Sequence, residues 1–164
     1  MKKKNILWSI IIFLLIVLGL ITYYYRLKTP QKPPDLMVSC NTGEEVWTKE
    51  ATLGSYGWSW FGGAVHSDSI SPLEMEEQGF VTSFLIDSDE GDITLHFPKT
   101  EVTFSVYSES IEGDIPENII TDKTLSNSEN SYSFTAKVNY VHTVVVKYKN
   151  GTVNYVFAVK SKCI

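Results

Sequence analysis

Residues 142–159 read HTVVVKYKNGTVNYVFAV, and this stretch decides the fold. Asn150-Gly151 is the strongest short signal for a β-hairpin, because both residues tolerate the positive φ of a type I′ turn. A two-residue turn there sets Tyr148 opposite Val153, Val146 opposite Tyr155, Val144 opposite Phe157 and His142 opposite Val159. Strand side chains alternate, so these residues share one face. Thr143, Lys147, Lys149, Thr152, Asn154 and Ala158 share the other with Val145 and Val156. The first face is predicted to be core and the second mostly wet. Each large apolar side chain buried contributes about 1.5–3 kcal/mol.

The same period of two runs outward from the hairpin. Ile93, Leu95 and Phe97 alternate with polar residues, as do Val102, Phe104 and Val106, and then Tyr132, Phe134, Ala136 and Val138. Residues 36–40, 46–51, 55–61 and 80–86 are further strand candidates. About nine short strands result, with residues 71–78 offering one or two helical turns. The expected class is all-β, an immunoglobulin-like sandwich, because many short strands between turn residues pack as sandwiches or barrels. Residues 108–131 are polar and read as a surface loop, with Ile115, Ile119 and Ile120 packing part of it down.

Residues 6–25, ILWSIIIFLLIVLGLITYYY, carry no charge. As a helix they span about 30 Å, one hydrocarbon core. Trp8 and Tyr23, Tyr24 and Tyr25 suit the two interfaces. The run is long for a signal peptide, and Tyr-Tyr-Tyr-Arg-Leu-Lys after it offers no small-x-small cleavage site. The reading is an uncleaved signal-anchor with a short cytoplasmic tail, residues 1–5. A linker at 26–35 follows, stiffened by Pro30, Pro33 and Pro34. The folded part is then 36–164, placed outside a cell membrane crossed once. Three bases lie on each side of the helix, so orientation rests on this arrangement and on the cysteines.

The chain has 164 residues and a net charge of −5, which averages two unlike parts. The first 32 residues hold six bases and no acid. The remainder holds 8 bases and all 19 acids, a charge of −11. Such a domain repels phosphate, which argues against nucleic acid as a partner. Cys40 and Cys163 stand at opposite ends of the folded part, and an exported pair usually forms a disulfide. Their parity points both inward from the first and last strands.

Three features invite chemistry. Asp87-Ser88-Asp89-Glu90-Gly91-Asp92 sets acids at alternate positions around a Gly, and Asp87, Asp89 and Asp92 could offer oxygens to Ca²⁺, though one turn rarely supplies six. The plainer reading is a solvated hairpin turn with no cofactor. Tyr56, Trp58 and Trp60 share a strand face in GSYGWSWFGG, residues 54–63. Exposed, that row is a binding surface for sugar rings or a protein. Buried, it is core, the commoner fate of large aromatics at this period. His66, His96 and His142 show no metal-ligand spacing, and no nucleophile elbow or P-loop occurs.

Gly54-Ser55-Tyr56-x-Trp58, with Asp68 and Ser71-Pro72-Leu73-Glu74, resembles a segment of uncharacterised exported cell-envelope proteins of Gram-positive bacteria. Some of those carry cysteines around the Trp, where Gly57 and Val65 stand here. The resemblance implies an envelope location and brings no activity, substrate or catalytic residue. The expected function is a membrane-anchored extracytoplasmic binding or scaffolding module rather than an enzyme. Its partners would be the lipid bilayer, through residues 6–25, and another envelope protein or a cell-wall component. The alternative is a calcium-dependent or carbohydrate-binding module using the acidic turn or the aromatic row, and a hydrolase stands third.

Overall fold

The computed structural model describes residues 2–28, 31–43, 45–60, 62–98, 101–112, 117–125 and 129–162. The N-terminal helix α1 (Lys2–Lys28) contains the window Trp8–Tyr25, with a mean hydropathy of 2.1 and none of it buried within the protein. Length and composition alone suit it to cross a membrane.

The rest is a two-sheet sandwich. One sheet has the order β2-β1-β6-β9, built from β1 (Met37–Asn41), β2 (Val46–Glu50), β6 (Glu90–His96) and β9 (Ser131–Lys137). The other runs β4-β3-β11-β10-β7-β8. Its members are β3 (Thr52–Trp60), β4 (Gly63–Ser67), β7 (Val102–Ser110), β8 (Glu117–Leu125), β10 (Tyr140–Tyr148) and β11 (Gly151–Ser161). Short β5 (Thr82–Ile86) joins this sheet, running parallel to the second half of β11 where β3 has left it. Val38, Ile93 and Leu95 from the first sheet meet Phe104, Val144, Val146, Val153 and Phe157 from the second in one core. The all-β sandwich behind an apolar helix is thus the architecture, with eleven strands among the described residues rather than nine.

Both extra strands were hidden by weak patterns. β4 is short, begins at Gly63 and buries none of its residues fully. β8 lies inside the expected loop at 108–131; it pairs with β7 as an edge strand and buries only Leu125. Ile119 is exposed, Ile120 packs against the core, and Ile115 lies outside the described residues.

The hairpin keeps its predicted face but not its register. Val146 pairs with Val153, Val144 with Tyr155 and His142 with Phe157, so the two-residue turn is Lys149-Asn150. Neither of those residues takes a positive φ, so the turn is not type I′. Asn150 is held instead by β3: its Nδ2 donates to the Ser59 carbonyl at 2.8 Å, and Ser59 N–H donates to the Asn150 carbonyl at 2.8 Å. Gly151 then pairs with Trp58 of the neighbouring β3, hard against the Gly57 carbonyl.

The second face of the hairpin is drier than expected. The helix α2 (Pro72–Glu77) lies against it, and Met75 and Val81 pack with Val141, Val156 and Ala158 in a smaller core. Ser71 and Glu74 cap this helix reciprocally, the Ser71 hydroxyl accepting from Glu74 N–H and the Glu74 carboxylate from Ser71 N–H. Lys160 on β11 pairs with Glu76 and fixes the helix further. At the entry to the sandwich, Pro33 is buried and the Tyr155 hydroxyl donates to the Pro34 carbonyl. The end of the linker is therefore docked on the domain.

Candidate functional site at the open edge of the sandwich

The aromatic row points inward. Trp58 is 1% exposed and meets the Tyr148 ring edge-on at 5.6 Å, while Tyr56 and Trp60 are partly buried against the same core. Trp58 is thereby removed from the possible aromatic binding surface, while Tyr56 and Trp60 pack on the core and keep part of their surface exposed. Phe61 lies outside the described residues.

The acidic turn does not gather its carboxylates. Asp87 pairs with Lys162 at 3.2 Å, and Asp92 accepts from the Thr135 hydroxyl at 3.2 Å on the outer face of β6. Asp89 enters the turn through its backbone carbonyl, which accepts from Val138 N–H. Among the described residues no three His, Cys, Asp or Glu side chains converge to hold a metal. Separate partners pull Asp87, Asp89 and Asp92 apart, and the expected hairpin turn is corrected as well: β5 joins the second sheet and β6 the first, so residues 87–89 cross between the sheets and Asp92 stands on β6 itself.

The histidines also stand apart. His96 Nε2 lies 2.8 Å from the Ser39 hydroxyl, which also meets Thr48 at 2.7 Å on the outer face of the first sheet. His142 is 0% exposed, stacked on Phe157, with Nδ1 2.6 Å from the Ser108 hydroxyl. Burial pushes its pKa down to about 4, an effect partly offset by the Lys137 backbone. Both members of this Ser–His pair are sealed in the core, so it holds β7 to β10 and offers nothing to a substrate.

Cys40 is buried on β1, and burial together with the Asp92 charge raises its thiol pKa. Cys163 lies outside the described residues. Cys40 Sγ and Ile86 Cδ1 both border Gly91, and Lys162 N–H donates to the Ile86 carbonyl at 2.9 Å. The described chain thus ends one residue before Cys163, close to the strand that borders Cys40.

A concave feature that the sequence did not single out lies between β2 and β5. In an antiparallel pair, opposed residues share a face. Trp47 opposes Cys40 and Lys49 opposes Val38, and both β1 partners are buried core residues. Trp47 and Lys49 therefore occupy core-side positions. Yet Trp47 is 52% exposed, because β2 is an edge strand that overhangs the short β5. Among the described residues, hydrogen bonds tie the two edges at one end. There the Thr82 hydroxyl donates to the Glu50 carbonyl at 2.8 Å and Lys49 Nζ donates to the Ser83 carbonyl at 2.6 Å. Lys49 also lies 5.3 Å above the Phe84 ring. Beyond that tie the edges enclose an open cleft of about 570 Å³ between Trp47 and Glu45 on one wall and residues 84–88 on the other, with Lys162 beside Asp87. A volume of roughly 300–1,000 Å³ is typical of small-ligand sites. Sequence parity marks Trp47 and Lys49 only as core-side, and their exposure follows from the meeting of two strand edges.

Comparison with protein-family models and with curated proteins finds no match to this chain.

Proposed function

We propose that this chain is a membrane-anchored extracytoplasmic binding module. The helix α1 holds it in the bilayer, and the sandwich presents the cleft between β2 and β5 to a ligand of the cell envelope, either another envelope protein or a cell-wall component. One observation carries the reading: a tryptophan on the core side of a strand is left half exposed in a concave site. Large apolar groups so placed mark binding surfaces more often than scattered surface ones do. The two buried polar groups with catalytic character, Ser108 and His142, belong to the core, which favours binding over catalysis. An immunoglobulin-like classification fits a presented binding sandwich of this kind.

Anchoring is tested by alkaline carbonate extraction. The full-length chain is expected in the membrane pellet, and the double variant Leu14→Lys, Leu18→Lys in the supernatant, because charges at the helix centre oppose insertion by about 2.5–3.5 kcal/mol each. Release of the unaltered chain in a form lacking residues 1–25 would instead identify a cleaved signal.

The same placement outside the cytoplasm supports the Cys40–Cys163 disulfide. Denatured without reductant, the exported chain is expected to show no reactive thiol, and two after reduction. Two reactive thiols before reduction would refute the bridge.

A further inference from the structure

The cleft has a chemical character of its own, set against a domain carrying −11. Glu45 and Asp87 supply two negative charges, and Lys49 and Lys162 two positive ones, so its walls sum to zero. Lys49 is occupied by the Ser83 carbonyl and the Phe84 ring, and Lys162 is paired with Asp87. Neither ammonium is offered as a lone cation to an anion, and the carboxylates would repel one. A charged ligand therefore gains little here, and an uncharged one meets none of the repulsion of the surrounding surface.

The polar lining is dense for a purely apolar ligand. Thr42 and Ser88 bring hydroxyls, and Glu45 and Asp87 bring planar acceptors, to a lining they share with the half-exposed indole of Trp47. An exposed aromatic plane in one cleft with acceptors and hydroxyls suits a molecule with an apolar C–H face and a rim of hydroxyls. That is the build of a sugar ring. An extended peptide suits the site less well. Strand addition needs free backbone groups along an edge, and Lys49 caps a β5 carbonyl at the mouth of the cleft, as inward-pointing charges on edge strands do.

We infer that the cleft between β2 and β5 binds an uncharged saccharide, with Trp47 as its stacking platform. This rests on the reading of the cleft as the ligand site. The chain has four tryptophans, Trp8, Trp47, Trp58 and Trp60, and each gives a separate indole N–H signal in ¹H–¹⁵N spectra of the full chain in zwitterionic nanodiscs. The probes are tri-N-acetylchitotriose, cellotriose and maltotriose as neutral sugars, fully deacetylated chitotriose as a cation and trigalacturonate as an anion. A neutral six-residue extended peptide completes the set.

At least one neutral trisaccharide is expected to shift the Trp47 signal saturably, leaving Trp58 unmoved, with each charged sugar binding several-fold more weakly. Trp47→Ala should weaken binding at least about tenfold, as loss of a central aromatic anchor does. Glu45→Gln, which keeps shape and charge-independent packing, should weaken it roughly threefold to tenfold by removing one charged acceptor. If the peptide shifts Trp47 and no neutral sugar does, the saccharide is overturned and the cleft survives as a peptide site. If no probe shifts Trp47, the cleft reading fails with it.

Discussion

Gly151→Ala is expected to destabilise the sandwich by about 3 kcal/mol or more, combining overpacking with backbone strain. A Cβ built at Gly151 would lie 1.9 Å from the Gly57 carbonyl oxygen, 2.9 Å from its carbon and 3.2 Å from Trp58 Cα. All three are backbone atoms of β3, so no rotamer change relieves the clash. Its φ of 151° adds to the strain. Gly79→Ala is the control: φ is 74° there, but a Cβ meets nothing within 4 Å. That variant should cost only about 1 kcal/mol, the penalty of the left-handed region alone. Denaturant midpoints of the full chain, compared at equal slopes, measure the difference. Equal losses in the two variants would mean that β3 does not approach β11 as described.

The second large effect is loss of stability in mild acid. His142 has a folded pKa of about 4 against an ordinary value of 6.5. Between those values the unfolded chain binds a proton that the folded chain excludes, so stability falls as pH falls from 6.5 to 4. The full difference amounts to about 3 kcal/mol. Glu74 and Asp122 act in another window. Hydrogen bonds from Ser71 hold Glu74 low, and Lys147 holds Asp122 low, so their contributions are present above the ordinary carboxylate range and lost below it. Unfolding midpoints measured from pH 7 to 4 should slope downward, and His142→Leu should flatten that slope whatever its effect at pH 7. An unchanged slope in the variant would place the acid sensitivity elsewhere.

The hairpin shows how far sequence reaches into this fold. Alternation set the faces correctly, since Val144, Val146, Val153, Tyr155 and Phe157 are all core. The register moved by two residues because turn chemistry was not the deciding force. Asn150 is engaged by Ser59, and Gly151 is needed where β11 lies close against β3, contacts that lie 91 residues apart for Asn150 and Ser59. A shift by two preserves the face, which is why the core was legible while the pairing was not. β8 escaped notice for the opposite reason: an exposed edge strand needs no apolar period.

The site followed a similar division. The inward fate of Trp58 could be read from the period of its strand, but the crossing at residues 87–89 could not, because no local pattern tells which sheet β5 joins. Trp47 could not be placed. Its parity marks it as core, and only the shortness and offset of β5 leave it uncovered. Exposure at that position is a property of two edges meeting, which no window of sequence contains.

Presentation of the sandwich outside the membrane is tested most directly by a membrane-impermeant amine reagent applied to sealed right-side-out vesicles. Exposed domain lysines such as Lys123 and Lys149 are expected to be modified before lysis, and Lys2, Lys3 and Lys4 only after it. Modification of the domain lysines only after lysis would place the sandwich on the cytoplasmic side and contradict an extracytoplasmic binding module.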